Sequence, residues 1–234
     1  MTRAEGFSGR DPREIPNYTV AEAAHWLALP VTTLRAWVAG QEYATSQGRK
    51  RAPALIEPAQ SGPFTLSFWN LVEAHVLAAT RRLHGVAMQR VRRALKYVER
   101  ELDVERPLVN QQFETDGADL FVRKYGELVN ASQEGQIAMR RLLEARLRRI
   151  ERDMQGLAAR LFPWARSETE AKDVMIDPLV SFGRPVLART GVPLEVLADR
   201  FVAGDSISSL ARDYSLDAER IEGAIRWQLD VSAP

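Results

Sequence analysis

The 234-residue sequence contains no cysteine, which excludes disulfides, thiolate nucleophiles and cysteine-bound zinc or iron–sulfur sites. It contains only three histidines, so histidine-based metal sites and catalytic triads have little material. No apolar run approaches the roughly 20 residues that a membrane helix needs, and the polar N-terminus lacks the apolar core of a signal peptide. We therefore expect a cytoplasmic protein without membrane contact.

Signatures of enzyme chemistry are also missing from the sequence. It has neither a glycine-rich phosphate loop of the Walker type nor a nucleophile elbow. His75 and His84 are nine residues apart, which is not a spacing for two ligands on one helix. A lone histidine on an apolar helix face is usually a hydrogen-bonded core residue. We expect a protein that is not an enzyme and holds no metal or cofactor.

The net charge of +1 conceals an uneven distribution along the chain. Residues 1–106 hold 15 basic and 11 acidic side chains, whereas residues 173–234 hold 6 and 10. Within residues 31–100 the excess is sharper, with 11 basic and 4 acidic side chains. A basic front half suits a polyanion, and an acidic tail does not.

The N-terminal part of the chain has the punctuation of a helix-turn-helix. Residues 1–16 show no periodicity and are expected to form a flexible tail. Thr19 and Glu22 form a capping-box pattern at the start of a helix. A break at residues 28–30 ends this helix, and a second short helix is predicted over residues 31–38.

The second helix and the loop after it carry the candidate DNA-binding residues. Thr32, Thr33 and Arg35 lie near the start of the helix, where such residues contact bases and phosphates in a major groove. A basic wing at Arg49, Lys50 and Arg51 would contact the DNA backbone. Alternatively, this unit only packs or dimerises. The basic residues of the following helices either extend the phosphate-binding face or form a solvated helix face: Arg81, Arg82, Arg90, Arg92, Arg93 and Lys96.

The middle segment, residues 107–165, is expected to link the domains or to dimerise. Asp116-Gly117 indicates a β-hairpin turn between short apolar runs. A helix over residues 134–152 should follow, and its apolar stripe is either a buried core face or a partner seam. The stripe consists of Leu143, Leu147, Ile150, Met154 and Leu157. The charged stretch 165–173 is the preferred linker.

The last segment, residues 173–230, is expected to form a second helix-turn-helix-like domain. Two predicted strands at residues 174–176 and 183–187 precede three short helices joined by tight turns. Because the segment is acidic, a protein partner fits it better than DNA. Residues 183–185, Gly-Arg-Pro, are either a functional surface loop or a structural turn.

Together these patterns predict a mostly α fold with small β elements. A winged helix-turn-helix domain would occupy residues 17–106, followed by a β-hairpin plus helix in the middle. A three-helix, helix-turn-helix-like domain would end the chain.

Two stretches of the front half resemble a known DNA-binding family. Residues 18–24 and 30–37 resemble the opening and recognition helices of the MerR-like winged helix-turn-helix. Residues 68–102 resemble the two helices that follow the wing in that family. The effector-binding cysteines of its metal-sensing members are absent, so metal sensing is not implied. The resemblance implies binding to operator DNA.

The tail resembles a small bacterial domain of unassigned chemistry that recurs in antitoxins encoded beside PIN-domain ribonuclease toxins. The similarity lies in residues 176–178, 181–186, 190–193 and 211–214, together with residues 221 and 224–225. The combination with the MerR-like front is similar to a VapB-type antitoxin.

That resemblance implies a homodimer that represses its own operon and neutralises a PIN-domain toxin. Such toxins hold Mg²⁺ with acidic residues, so Arg184 and Arg189 are the candidate toxin-binding residues. The alternatives are a MerR-like transcription regulator without a toxin partner and a structural adaptor that does not bind DNA.

Overall fold

The computed structural model describes residues 9–45, 48–81, 88–163 and 172–230, leaving aside the side chains of residues 43–45, 50, 81 and 230. The chain divides into two compact units, Met1–Ala159 and Arg160–Pro234, called unit 1 and unit 2 below. The division falls before the expected linker at residues 165–173, of which residues 165–171 lie outside the described part. His84 and Arg82 also lie outside it.

Unit 1 is built mainly from helices, together with small two-stranded sheets. The Tyr18 and Trp26 rings meet edge to face, with their centroids 5.4 Å apart. The strand Tyr18–Thr19 pairs antiparallel with the strand Thr65–Leu66. In chain order its described elements are β1 (Tyr18–Thr19), α1 (Val20–Trp26), α2 (Val31–Ala39), β2 (Gln41–Thr45), β3 (Gly48–Ala52), β4 (Thr65–Leu66), α3 (Phe68–Arg81), α4 (Met88–Leu102), α5 (Ala118–Val129), α6 (Gln133–Leu147), β5 (Ile150–Arg152) and β6 (Ala158–Leu161), the last of which crosses into unit 2.

The core of unit 1 follows the helical apolar periodicity. Trp26 and Trp37 are buried, as their positions on the first two helices predict, and so are Val91, Leu95 and Val98 of α4. The mostly α fold with small β elements is therefore confirmed.

The expected middle hairpin is wrong, because residues 113–117 form a single π-helical turn that continues directly into α5. Gly117 has helical dihedrals, φ −68° and ψ −32°, rather than those of a hairpin turn. A Cβ at Gly117 would lie 2.9 Å from the Phe113 ring, so this glycine permits close packing and not a chain reversal. Phe113, Phe121 and Tyr125 then line one buried face of the helix.

The helix predicted over residues 134–152 ends earlier, at Leu147. Leu143 and Leu147 are buried within the single chain, which favours the core interpretation for this half of the stripe. Ile150 lies instead in β5, which pairs with β6, and Met154 is exposed in the turn between these strands. Asp153 makes that turn, since its Oδ1 accepts the backbone N–H groups of Gln155 and Leu157 at 3.0 and 2.9 Å.

Part of the expected flexible tail is ordered into unit 1. Asp11 caps a short 3₁₀ turn, Pro12–Glu14. The Arg13 guanidinium binds Asp11 and Asp153 and lies over the Trp69 ring, 5.2 Å from its centroid. The expectation of a loose tail is therefore wrong for residues 11–14, because these contacts hold the segment against the core.

Unit 2 forms a small three-stranded sheet followed by three helices. The antiparallel sheet has the order β7-β8-β9, with Val174 opposite Leu187 and Val186 opposite Pro193. Its elements are β7 (Val174–Met175), β8 (Val186–Leu187), β9 (Val192–Pro193), α7 (Leu194–Val202), α8 (Ile207–Tyr214) and α9 (Ala218–Asp230). The helices bury Leu197, Leu210, Ile221 and Ile225, so the predicted three-helix arrangement is present.

Candidate nucleic-acid interface

The first two helices of unit 1 form a compact helix-turn-helix. The Thr19 N–H donates to the Glu22 carboxylate at 2.8 Å, and the Glu22 N–H donates to Thr19 Oγ1 at 3.1 Å. This capping box fixes where α1 begins. Ala28 turns the chain with a positive φ of 51°, and Pro30 precedes α2. Both local signals in the sequence therefore act where they were expected.

α2 is anchored on one side and open on the other. Leu34, Trp37 and Val38 are buried, and they hold the helix against the core of unit 1. Thr32 and Arg35, one turn apart, are exposed on the opposite side, whereas Thr33 is half-buried. Among the described residues no side chain caps the first turn of α2. An exposed hydroxyl and a guanidinium thus stand near a helix start whose amides can face an anion.

The predicted basic wing is a β-hairpin of β2 and β3 rather than a loose loop. Its register places Glu42 opposite Arg51 and Ala44 opposite Arg49. The Arg49 side chain is 83% exposed, and its guanidinium lies 3.7 Å from the Glu42 carboxylate. Such an exposed pair contributes little to stability, so Arg49 stays available to an incoming phosphate. Lys50 lies in β3, but its side chain is outside the described part.

Arg51 has a structural contact as well as an exposed position. Its Nη2 donates at 3.0 Å to the carbonyl oxygen of Ala39, the last residue of α2. A cation at the C-terminal end of a helix is favoured by the helix dipole. Arg51 therefore ties the wing to α2, and this bond uses one of the five N–H groups of its guanidinium.

Gly40 makes the close approach of α2 and the wing possible. Its dihedrals, φ 76° and ψ 176°, lie in a region that is essentially restricted to glycine. A Cβ at this position would lie 2.4 Å from the Ala52 carbonyl oxygen. The helix and the hairpin are consequently set in place by backbone contacts, which a side chain at residue 40 would disrupt.

The arginines of α4 divide into two groups. Arg92 is half-buried and donates to the carbonyl oxygens of Pro53 and Ala54, in the segment that follows the wing. Burial lowers the pKa of Arg92 from its ordinary value. Arg90, Arg93 and Lys96 are exposed. Arg92 therefore acts as a structural tie. Among the described side chains of α4, Arg90, Arg93 and Lys96 remain candidates either for a phosphate-binding face or for a solvated helix face.

His75 is a core residue rather than a ligand. It is completely buried in α3, and its Nε2 donates to the Arg146 carbonyl oxygen at 3.1 Å. Burial, together with the nearby charges of Arg146 and Arg149, holds its pKa well below the usual 6.5. In the described part of the chain no group of three or more histidine, aspartate and glutamate side chains is arranged to hold a metal ion. No described helix is long and apolar enough to cross a membrane.

The candidate toxin-binding residues lie in unit 2, on two neighbouring turns. Arg184 is half-buried and follows a turn at Ser181–Gly183, and Arg189 is exposed in the turn between β8 and β9. Ser181 Oγ donates to the Gly191 carbonyl oxygen at 3.3 Å, which holds the two turns together. Phe182, in the first of these turns, is exposed, and sequence reasoning did not single it out.

Family comparisons match one stretch within each of the two units. Residues 16–95 match the family described as "Putative DNA-binding HTH domain". Residues 174–227 match a family described as "Protein of unknown function (DUF433)". These two stretches contain the candidate DNA-binding and candidate toxin-binding residues, respectively.

Two individual proteins resemble nearly the whole chain. The fold is similar to the crystal structure of Rv2018 from Mycobacterium tuberculosis, with a TM-score of 0.66 and 24% identity over 90% of this chain and 98% of that one. A protein of the same organism, strain ATCC 25618 / H37Rv, carries the name "Putative antitoxin VapB45". This chain is 29% identical to it over 229 residues, which are 91% of this chain and 93% of the relative. The chain thus combines a helix-turn-helix region and a DUF433 region, and it is similar along most of its length to a protein named as an antitoxin.

Proposed function

We propose that unit 1 binds operator DNA, with α2 in the major groove and the β2–β3 wing on the backbone. The observation that carries this proposal is the pairing of an exposed Thr32 and Arg35 on α2 with the exposed Arg49 of the adjoining hairpin. Hydroxyl and guanidinium groups at the start of a helix can read base edges, and a basic hairpin can bind phosphates. The excess of basic residues in this part of the chain supports the same reading.

We further propose that the chain is the antitoxin of a toxin–antitoxin module and neutralises a PIN-domain ribonuclease. The name of the relative supports an antitoxin. The acidic balance of the last segment, 6 basic and 10 acidic side chains, favours a protein partner over DNA for unit 2. Arg184 and Arg189 are the candidate contacts to the toxin. As a cytoplasmic homodimer, the protein would bind a two-fold symmetric operator and repress its own operon.

DNA binding is tested by gel-shift titration of the full chain with the DNA upstream of its own gene. Arg35→Ala should weaken binding by about 5- to 150-fold if the guanidinium reads a base, which corresponds to about 1–3 kcal/mol. Arg49→Ala should weaken binding to all sequences alike, and it should reduce the salt dependence by about one phosphate contact. Binding must fall steeply as salt rises.

The matched control is Arg212→Ala, which removes the same charge from an exposed position on α8 of unit 2. Its operator affinity should equal that of the original chain. Absence of operator binding at low salt would leave the adaptor interpretation. Equal losses for Arg35→Ala and Arg212→Ala would show that only overall charge matters.

Neutralisation is tested with the ribonuclease encoded beside this gene. The full chain should form a stable complex with it and stop its cleavage of RNA. Operator binding without any effect on the ribonuclease would instead establish a transcription regulator without a toxin partner.

A further inference from the structure

Two large apolar side chains stand in solvent on one loop of unit 2. In the segment 179–184, called the 179–184 loop below, Leu179 is 76% exposed and Phe182 is 86% exposed. They are separated by Val180 and Ser181, which are less exposed. Exposed apolar residues that are scattered singly need no explanation, but a pair containing an aromatic ring on one short loop suggests a contact surface.

Hydrogen bonds to Asp177 hold the start of the loop in place. The buried Asp177 accepts the Leu179 N–H on Oδ1 at 2.8 Å, and its backbone carbonyl accepts the Val180 N–H at 3.0 Å. Arg160 Nε donates to the other carboxylate oxygen of Asp177 at 2.9 Å. Because the base is fixed, presenting the two apolar tips to a partner would cost little additional ordering of the loop.

The backbone of the loop enters the left-handed region at three successive residues. Ser181, Phe182 and Gly183 have successive positive φ values of 47°, 54° and 76°. The left-handed region is unfavourable for a bulky side chain such as phenylalanine. Hydrogen bonds across the turn support this conformation, because the Gly183 and Arg184 N–H groups donate to the Val180 and Ser181 carbonyl oxygens at 2.9 and 3.0 Å. The turn therefore presents the Phe182 ring at the surface, where a partner protein can reach it.

Two arginines flank the apolar tips. Arg184 ends the loop, and Arg189 lies in the neighbouring turn, which the Ser181–Gly191 hydrogen bond holds against the loop. Arg220 of α9 fixes that turn as well, because its Nη2 donates to the Ala188 carbonyl oxygen at 2.9 Å. A patch that is apolar at its centre and basic at its edge therefore stands out from an otherwise acidic segment.

We propose that the 179–184 loop is the docking site for the toxin, with Phe182 as the side chain that anchors the complex. Phe182 and Leu179 enter an apolar pocket on the toxin, and Arg184 and Arg189 meet carboxylates at the rim of that pocket. An aromatic anchor in a desolvated pocket, surrounded by charged pairs, is the usual composition of an interface hot spot. This inference rests on the proposed antitoxin function.

Charge argues for the toxin rather than a second copy of this chain as the occupant. In a two-fold contact the same patch would face itself, and the Arg184 and Arg189 side chains of both copies would approach one another. Like charges brought together at an interface cost affinity. A partner surface rich in carboxylates has no such penalty.

The test measures binding of the purified full chain to the ribonuclease encoded beside its gene, by isothermal titration calorimetry. In Phe182→Asn the ring is removed, and asparagine tolerates a positive φ better than phenylalanine does. We expect the Kd to rise at least tenfold, with a Tm equal to or above that of the original chain. Leu179→Ser should weaken binding in the same direction. Operator binding should remain unchanged in both variants.

The matched control is Val202→Ser, which removes an apolar side chain that is 71% exposed. Val202 ends α7, whose first residue, Leu194, lies near the loop because its N–H donates to the Pro185 carbonyl oxygen. Eight residues of helix place Val202 about 12 Å from that point. Its effect on the Kd should stay within twofold.

Each outcome decides one of the two claims. If the original chain binds the ribonuclease and Phe182→Asn binds equally well, the docking site is wrong and the antitoxin function stands. If Val202→Ser weakens binding as much as Phe182→Asn, the contact is not specific to the loop and the inference also fails. If the original chain does not bind the ribonuclease at all, the antitoxin function itself is overturned, and the docking site with it.

Discussion

The junction between α2 and the wing predicts a specific sensitivity at Gly40. At φ 76° and ψ 176°, an L-residue is strained whatever space surrounds it. A Cβ on residue 40 would also lie 2.4 Å from the Ala52 carbonyl oxygen and 3.2 Å from the Pro53 carbonyl carbon. Both are backbone atoms, so no side-chain rotation relieves the overlap. Gly40→Ala therefore has to displace the wing from the end of α2.

The size of the effect follows from these two contributions. Backbone strain of this kind costs about 1–3 kcal/mol. Steric overpacking against a fixed neighbour costs about the same again, roughly 1–3 kcal/mol. The free energy of unfolding should thus fall by about 2–6 kcal/mol, and Tm should fall by roughly 5–20 °C for a chain of this length. The Arg51–Ala39 hydrogen bond should weaken as the wing moves, so operator affinity should fall as well.

Gly48→Ala is the control, because it should introduce backbone strain without steric overlap. Gly48 begins β3 with a φ of 108°, and a Cβ there would meet no described atom within 4 Å. Thermal unfolding followed by circular dichroism, together with gel-shift titration, should show a clearly larger loss for Gly40→Ala in both measurements. Equal losses for the two variants would refute the argument that the Ala52 contact fixes the wing.

Two further predictions concern the core of unit 1. Arg13→Ala should lower the free energy of unfolding by about 1–3 kcal/mol in urea titrations, because it removes a charge-assisted bond to Asp153; an unchanged value would mean that the segment is as loose as the sequence suggested. The second prediction concerns His75, whose pKa in the folded state lies below the unfolded value of 6.5. As the pH falls below 6.5, the histidine therefore gains a proton in the unfolded state first. Stability is therefore lost on acidification, by up to about 1.4 kcal/mol per pH unit until the folded pKa is reached. Comparing urea unfolding at pH 7 and pH 5 should show a smaller pH-dependent loss in His75→Gln, and an identical loss would exclude His75 as its source.

The helix-turn-helix could be predicted because its signals are local. The capping box of Thr19 and Glu22 acts within one turn, and Pro30 shapes the turn before α2 without help from distant residues. The burial of Trp26 and Trp37 follows from helical periodicity alone. Such features need no knowledge of the tertiary contacts.

The middle of unit 1 was mispredicted where one residue pattern has two physical meanings. Asp116-Gly117 is a turn signal when glycine is needed for its backbone, but here Gly117 is needed for its lack of a side chain beside Phe113. The later half of the apolar stripe fitted a helical period, yet the turn made by Asp153 and Gly156 interrupts it. Gly156 has a φ of 77°, which ends the period in a hairpin.

The candidate sites also depend on contacts that the sequence does not reveal. Residue type identified Arg35, Arg49 and Arg51 as basic groups near a helix-turn-helix, but only the fold reveals that Arg51 bonds to the end of α2. The sequence analysis made no prediction for Phe182, because a single apolar residue in a short loop has no periodicity that indicates burial or exposure. In the structure Phe182 is 86% exposed, in the turn Ser181–Gly183 that follows Asp177.

The overall charge of +1 is the sum of two unlike parts, and this separation has a mechanistic consequence. The proposed DNA contacts lie in unit 1, whereas the proposed toxin contacts lie in unit 2, so each activity should be removable without the other. Arg35→Ala would leave neutralisation intact, and Phe182→Asn would leave repression intact. Any influence of the toxin on repression must then pass between the units as a coupling free energy, because no residue is shared by both contacts. Such coupling is reciprocal: if toxin raises operator affinity by some factor, operator DNA raises toxin affinity by the same factor.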